Sequence, residues 1–399
     1  ADSCAARRMS RRTTRLGYLG TVLVLAVLLV LFGQPYLFCM LQLLLALGIT
    51  QAVCIRRDAR RLHFTVCGPG SCRAGEDMLL TLRPCYTGRL LAAKYALVQM
   101  EVCNDMLSAS RRYELMVPLY EGAAAELRVP AAACGGVSVR CAGMQVWDML
   151  SLSCAQAPLP ETIYTMVWPR TAKVRLEPQL DTVGAAQWEG AAQNRRGSDI
   201  SEVYDFREYV PGDDVRGIHW KISCKSEHLF LREASDPAHY EAALLADLGL
   251  ARHEGQITPA ELNGAAALMM ALGQQILRRG QHFCLLYPAG HGLVRHLIRS
   301  EEELLRRLPG WLGEPLPAQA GLGLQLFCAA HLEQRFTRLI IVSAGPYEQD
   351  LQLVQQHTGI SVVCAAQQEQ PVYTTLSPTC EMAVLPADLQ SPEGFRVIC

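Results

Sequence analysis

The sequence predicts a multidomain chain: an N-terminal transmembrane helical hairpin, an antiparallel β-sandwich, and a C-terminal α/β domain built on a doubly wound sheet. Three observations predict it. Two uncharged apolar runs lie close together near the N-terminus. A stretch of short, partly alternating, β-rich segments follows them. From about Glu241 onward, uniformly apolar strand segments alternate with helical ones. The 399 residues leave room for two or three domains.

The apolar runs are Leu16–Phe32 and Tyr36–Ile55, of 17 and 20 residues. As helices they would be about 25 and about 30 Å long, enough for a hydrocarbon core of about 30 Å. Gly33-Gln34-Pro35 separates them, so both outer ends fall on one side of the bilayer. Arg7, Arg8, Arg11, Arg12 and Arg15 precede the first run, and Arg56, Arg57, Arg60 and Arg61 follow the second. Basic flanks stay in the cytoplasm, which predicts a two-pass cell-membrane protein with cytoplasmic soluble domains. A cleaved leader does not fit two adjacent spans with Arg on both outer flanks. The chain starts at Ala1 without an initiator Met, so we expect a trimmed N-terminus. Expected bounds are 1–15 for a basic cytoplasmic segment, 16–55 for the two spans, 62–170 for the β-domain and 171–399 for the motif segment plus α/β domain.

Charge narrows the partners. Residues 1–61 hold nine Arg and two acids, out of 37 basic and 38 acidic residues in the chain. The rest is therefore acidic, which argues against nucleic acid as a partner. The lipid bilayer is the partner that the hairpin implies. Sixteen cysteines are present, yet none form Cys-x-x-Cys pairs. Most lie in apolar stretches such as HFCLLYP and ISVVCAA, and they read as small reduced hydrophobes of a cytosolic protein.

Within 62–170, the segments LHFTVCG, DMLLTLRP, AKYALVQMEV, RYELMVPLY, AELRVP and GVSVRCAGMQVWD read as strands of an immunoglobulin-like sandwich. In the C-terminal half, EAALLADLGL, HFCLLYP, RLIIVSA, ISVVCAA and CEMAVLP read as strands. Pro259–Arg279, Ser300–Leu308 and Pro346–His357 read as helices, with Gly280 ending the first and Ser300 capping the second.

Ligands bind open α/β sheets at the carboxyl ends of strands. The first strand here ends at Asp247, followed by Gly249 and Ala251. A von Willebrand factor A-like domain carries Asp-x-Ser-x-Ser at this place, where one carboxylate and two hydroxyls hold Mg²⁺. Both hydroxyls are missing, and Ser343-Ala344-Gly345 offers Ala where a second Asp would stand. Asp247 reads as a degenerate metal position, and no metal or other cofactor is expected. No Gly-x-Ser-x-Gly, P-loop or His-Glu-x-x-His occurs.

The densest cluster lies at 201–233. Arg207, Asp213, Asp214, Arg216, His219, Lys221, Lys225 and Arg232 surround Tyr209 and Trp220, with a Pro211-Gly212 turn between. An acid–base centre of Asp213, Asp214 and His219 is one reading. The nearby Arg207 and Arg216 would hold those carboxylates ionised, which suits them poorly as proton donors. A packed charge network anchored by Trp220, or a docking surface of Arg, Tyr and Trp, fits the composition better.

The segment FREYVPGDDVRGIHWKISCKSEHLFLRE, Phe206–Glu233, resembles the defining motif of domain-of-unknown-function family 58. The motif's Arg-x-Tyr is Arg207 and Tyr209, and its Pro-Gly-Asp-Asp is Pro211 to Asp214. Arg216 follows, then Ile218, Trp220, Lys221 and Lys225, with Arg232 and Glu233 closing it. The two spans, the β-rich module and the α/β tail resemble the family's layout. The resemblance implies a von Willebrand factor A-like C-terminal half and a MoxR-type AAA+ ATPase as partner, with other membrane or envelope proteins nearby. It implies no enzymatic activity. The expected function is a non-enzymatic, membrane-anchored adaptor or scaffold in protein-complex assembly or envelope-related processes. The alternatives are a Mg²⁺-dependent adhesion module at Asp247 and a transglutaminase-like or other cysteine-dependent enzyme.

Overall fold

The computed structural model describes residues 2–177, 203–208, 223, 230–234, 240–252, 255–290, 292–345, 351, 359–377, 380–389 and 394–398. The chain divides into two compact units. One holds residues 1–171 with 253–267 and 305–318; the other holds 172–252, 268–304 and 319–399.

The first unit opens with helices α1 (Asp2–Phe32) and α2 (Pro35–Arg61). Both are long and apolar enough to cross a membrane. The residue that lets the chain reverse is Gly33, at φ +59°, a left-handed conformation that favours glycine. Pro35 then starts α2 at a position where its missing N–H costs nothing. The Tyr18 hydroxyl donates to the Leu44 carbonyl across the pair at 2.6 Å. Both helices run further than the apolar runs. The arginines at each outer end are good helix formers, and no Gly or Pro interrupts them.

Leu62, the C-cap of α2, turns extended at φ −91° and ψ 127°, and β1 (Leu62–Cys67) begins there without a linker. Asp58 ties this junction. It is buried, and one carboxylate oxygen accepts the backbone N–H groups of Leu91, Ala92 and Ala93 at 2.8, 2.7 and 3.0 Å. A carboxylate taking three N–H bonds is a charge-assisted anchor. Arg15 does the same for α1. Its Nε donates to the Leu152 carbonyl at 3.1 Å, and its guanidinium lies 4.9 Å from the centroid of the Trp147 ring, within cation–π range.

The β-rich body contains all six expected strands: β1, β3 (Asp77–Tyr86), β4 (Ala93–Asn104), β5 (Ala109–Pro118), β6 (Ala125–Pro130) and β7 (Gly135–Asp148). Three more strands, β2 (Ser71–Arg73), β8 (Cys154–Gln156) and β9 (Ile163–Trp168), were too short or too close to prolines to show in the pattern. One sheet has the order β1-β3-β6. The other runs β2-β9-β7-β4-β5, with β8 beside β7. Pairing is antiparallel except between β2 and β9, which run parallel. Met78, Leu80 and Leu82 alternate inward on β3, and Ala96, Val98 and Met100 on β4. In the larger sheet, Glu101 of β4 stands opposite Arg112 of β5 and Arg140 of β7. Arg140 Nε donates to it at 2.7 Å and Arg112 Nε at 3.3 Å. The Arg140 hydrogen bond holds the Glu101 carboxyl below its usual range; burial opposes this, and Arg112 adds to it.

Residues 253–267 and 305–318 bring helical segments into this unit. The N-terminus of α3 (Pro259–Arg278) has a capping box: Thr258 Oγ1 accepts the Glu261 N–H, and Glu261 accepts the Thr258 N–H. Asn263 then accepts the Cys134 N–H at 2.7 Å and donates to the Ala132 carbonyl at 2.9 Å. The next helix, α4 (Glu301–Leu312), is capped by Ser300 as expected. It continues past Leu308 and through Pro309, because burial of Trp311 and Leu312 offsets the lost hydrogen bond.

In the second unit the strands are β10 (Val174–Glu177), β11 (Val203–Glu208), β12 (Phe230–Ala234), β13 (Tyr240–Ala246), the two-residue β14 (Ala251–Arg252), β16 (Phe283–Ala289), β17 (Gly292–Ile298), β18 (Phe336–Ala344), β19 (Gly359–Ala366), β20 (Val372–Ser377), β21 (Cys380–Pro386) and β22 (Phe395–Ile398). The equally short β15 (Gly255–Gln256) lies in the first unit's range. The main sheet has the order β17-β16-β13-β18-β19-β21-β20. Its five central strands are parallel, and β17 and β20 are antiparallel edges that the sequence reading did not separate out. GLVRHLI and VYTTLS carry polar residues and edge exposure, so neither showed the continuous apolar run of a buried strand. Leu245, Leu286 and Ile341 pack on one face with Leu324 and Phe327 of α5 (Leu322–Ala329). On α3, Gly273 permits close approach of the Phe283 and Leu304 side chains. The expected helix at Pro346–His357 lies outside the described residues, Leu351 excepted.

Replacing Asp58 by Ala should leave three N–H groups without their acceptor and cost about 3 kcal/mol. The apparent melting temperature of the full chain in mild detergent should fall by several degrees, and an unchanged melt would sink the anchoring role. The Glu101 carboxyl is depressed in the folded state. Its contribution is therefore complete above the ordinary glutamate pKa of about 4.3 and is lost as pH falls through the folded value. Melting curves followed from about pH 7 down to about pH 3 should show that acid-side loss in the parent, and less of it in Glu101→Gln.

Candidate functional site

From β13 the chain passes first to β16 on one side and later to β18 on the other. The carboxyl ends of β13 and β18 therefore bracket the point where a ligand would bind an open α/β sheet. Asp247 follows β13 there, and Ser343 and Ala344 end β18.

Asp247 is fully buried. Its N–H donates to the Val342 carbonyl at 2.9 Å, and its Oδ1 accepts the N–H of Gly323 in the first turn of α5 at 2.9 Å. A carboxylate suits this place because the unpaired N–H groups and positive end of a helix, brought there by the fold, attract it. The Gly249 position is shut. A Cβ built on Gly249 would lie 2.1 Å from the Ala320 nitrogen and 2.3 Å from the Gln319 carbonyl carbon. Ala251 forms an isolated bridge with Gln319, and its carbonyl accepts the Ala320 N–H at 3.2 Å. Main chain thus fills the place beside Gly249, where one of the two hydroxyls of an adhesion-type metal motif would stand. Among the described residues no group of three or more His, Cys, Asp or Glu side chains could hold a metal ion.

For the 201–233 cluster, β11 and β12 pair antiparallel, with Arg207 opposite Leu231, Arg232 opposite Phe206, and Glu233 opposite Asp205. The two ends of the motif therefore meet on one ladder. Tyr209, Pro211, Gly212, Asp213, Asp214, Arg216, His219, Trp220, Lys221 and Lys225 lie outside the described residues. Ser223, between them, is helical and buried.

Sequence reasoning missed a second group. Asp58, Arg15 and Trp147 join the apolar helices to the β-rich body. Asp58 was absorbed into the basic run Arg56–Arg61, although a lone acid among four arginines was a usable signal. Gly323 carried no signal, because its partner Asp247 lies 76 positions away.

No disulfide joins the described cysteines. Burial pushes the Cys134 and Cys284 thiols up to about 12, with Arg295 partly opposing it at Cys284. The thiols of Cys72, Cys103, Cys141 and Cys328 are raised as well, chiefly by burial. A nucleophilic thiol needs the opposite displacement.

Gly249→Ser should restore a hydroxyl without restoring a metal site. The clash with Gln319 and Ala320 lowers the melting temperature, and calorimetric titration with Mg²⁺ shows no binding. Mg²⁺ uptake by a stably folded variant would refute the closed-site account. Cys134 and Cys284 should resist iodoacetamide at pH 8 in the folded chain and react once it is denatured, as peptide mapping would record.

Residues 205–342 match the family model described as "Protein of unknown function DUF58". No curated protein matches the chain. Among solved structures, the cohesin module from the family 33 glycoside hydrolase of Clostridium perfringens ATCC13124 aligns with 27% of this chain and 97% of its own length. The identity is 8% and the TM-score 0.21, a level that assigns no fold.

Proposed function

We propose, on the match of residues 205–342 to the DUF58 family model, that this chain is a non-enzymatic, membrane-anchored adaptor whose α/β unit works with a MoxR-type AAA+ ATPase on protein complexes at the membrane or envelope. The observation that carries this reading is the mounting of the apolar hairpin. Helix α2 runs into β1 without a linker, and the buried Asp58 takes three N–H bonds from the β-rich body. A stiff mount suits a protein that must transmit or resist force from a motor, whereas a flexible tether suits simple recruitment.

Within this reading both helices span the cell membrane, with arginine-rich outer ends in the cytoplasm. The β-rich body is an immunoglobulin-like module close to the bilayer, and the seven-stranded sheet is von Willebrand factor A-like. Asp247 is a retained structural residue of that sheet, serving the α5 N-terminus in place of a metal. The closed surroundings of Gly249 weigh against the Mg²⁺-adhesion alternative.

Affinity purification of the full chain from native membranes in mild detergent, with and without ATP and Mg²⁺, tests the partnership. A AAA+ ATPase recovered in a nucleotide-dependent manner is the expected outcome. Its absence from preparations that keep other membrane partners would leave a scaffold working without a motor. Protease protection on sealed vesicles tests the topology: the β-rich body should be cleaved only when the cytoplasmic face is accessible.

A further inference from the structure

Three exposed apolar side chains surround the place where the hairpin meets the β-rich body. Met149 is 76% exposed, Leu150 46% and Leu91 56%. None is on a loose loop. Met149 and Leu150 sit on a turn that Asp148 braces by accepting the Leu152 and Ser153 N–H groups at 2.9 and 3.3 Å. The Tyr95 hydroxyl meets Ser151 Oγ at 2.8 Å beside it. Leu91 is the first of the three residues whose N–H groups bind Asp58.

Their height along the hairpin is set by named contacts. Arg15, which holds the Leu152 carbonyl, immediately precedes Leu16, where the first apolar run begins. Asp58 lies three residues beyond Ile55, the last residue of the second run, a rise of about 4.5 Å. Ile55 itself has no exposed surface, and α2 packs against β4, β7 and β8. The β-rich body therefore reaches down to the level where the apolar helices end. Exposed Arg56, Arg57, Arg89 and Lys94 lie around the same junction. Apolar tips ringed by basic side chains match the interface of an anionic bilayer, where the tips enter the acyl boundary and the cations meet phosphate.

We propose that Met149, Leu150 and Leu91 form a lipid-contacting foot, which seats the β-rich body in the headgroup layer beside its own membrane helices. This rests on the reading that α1 and α2 span a bilayer. The foot would add a third attachment point and hold the body at a fixed tilt to the membrane, which two helices alone do not do.

The test uses the full chain reconstituted in vesicles of phosphatidylcholine and phosphatidylglycerol. The photoreactive residue p-benzoylphenylalanine is placed separately at Met149, at Leu23 and at Tyr164. Leu23 is 66% exposed on α1 and reports lipid around the helices. Tyr164 is 73% exposed and pairs with Ser138, nine residues along β7 from Trp147, or about 30 Å. Irradiation followed by mass spectrometry should find lipid adducts at 149 and 23 and far weaker ones at 164. Lipid adducts at 23 with none at 149, or adducts at 149 to protein instead of lipid, would overturn the foot and leave the spanning reading intact. Equal labelling at 149 and 164 would also overturn it. No lipid adduct at 23 would remove the spanning reading, and the foot with it.

Discussion

A single carboxylate oxygen, on Asp58, receives three consecutive backbone N–H groups from the segment that enters β4. Without it, three donors at the start of β4, the neighbour of edge strand β5 in the larger sheet, would lose their acceptor beside the last turn of α2. The bond set makes the helix end and the strand start one rigid object. Strand β4 pairs with both β5 and β7, so the position of α2 is transmitted to the whole six-stranded sheet. Arg15 repeats the logic on the other helix through Trp147 and Leu152, the far end of β7 and the turn that follows it. Both attachments are ionic groups satisfied by backbone or ring, which holds orientation more tightly than apolar contact alone.

The second unit applies a similar device to a different end. Asp247 closes the carboxyl end of β13 against the first turn of α5, and Gly249 lets the 319–320 main chain lie directly against the following loop. In an open α/β sheet this is where a ligand would bind. Here a carboxylate and a helix terminus meet, and backbone occupies the space beside Gly249. The β11–β12 ladder, with Arg207 opposite Leu231 and Arg232 opposite Phe206, brings the two ends of the Phe206–Glu233 segment together.

Local signals in the chain were legible where one segment decides its own state. The apolar length of α1 and α2, the uniformly apolar β13, β16, β18, β19 and β21, and the alternation in β3 and β4 are properties of contiguous residues. Caps are equally local, and Ser300 announced its helix. The Thr258–Glu261 box was as readable and was passed over in favour of Pro259. Edge strands β17 and β20 hid because exposure on one side mixes their composition, and β2, β8 and β9 are short segments defined mainly by their neighbours.

By itself, then, the sequence determined the strands and helices with clear local signals, the pair of apolar helices and the segment that a family model matches. Each depends on residue type and spacing along a few turns or one strand. Only the tertiary structure decided what Asp58 and Asp247 do, which strands lie at the edges, and that the space beside Gly249 is filled. The two carboxylates meet groups 33 to 76 positions away. A carboxylate's role is set by which N–H groups the fold brings to it, and no local pattern encodes that meeting.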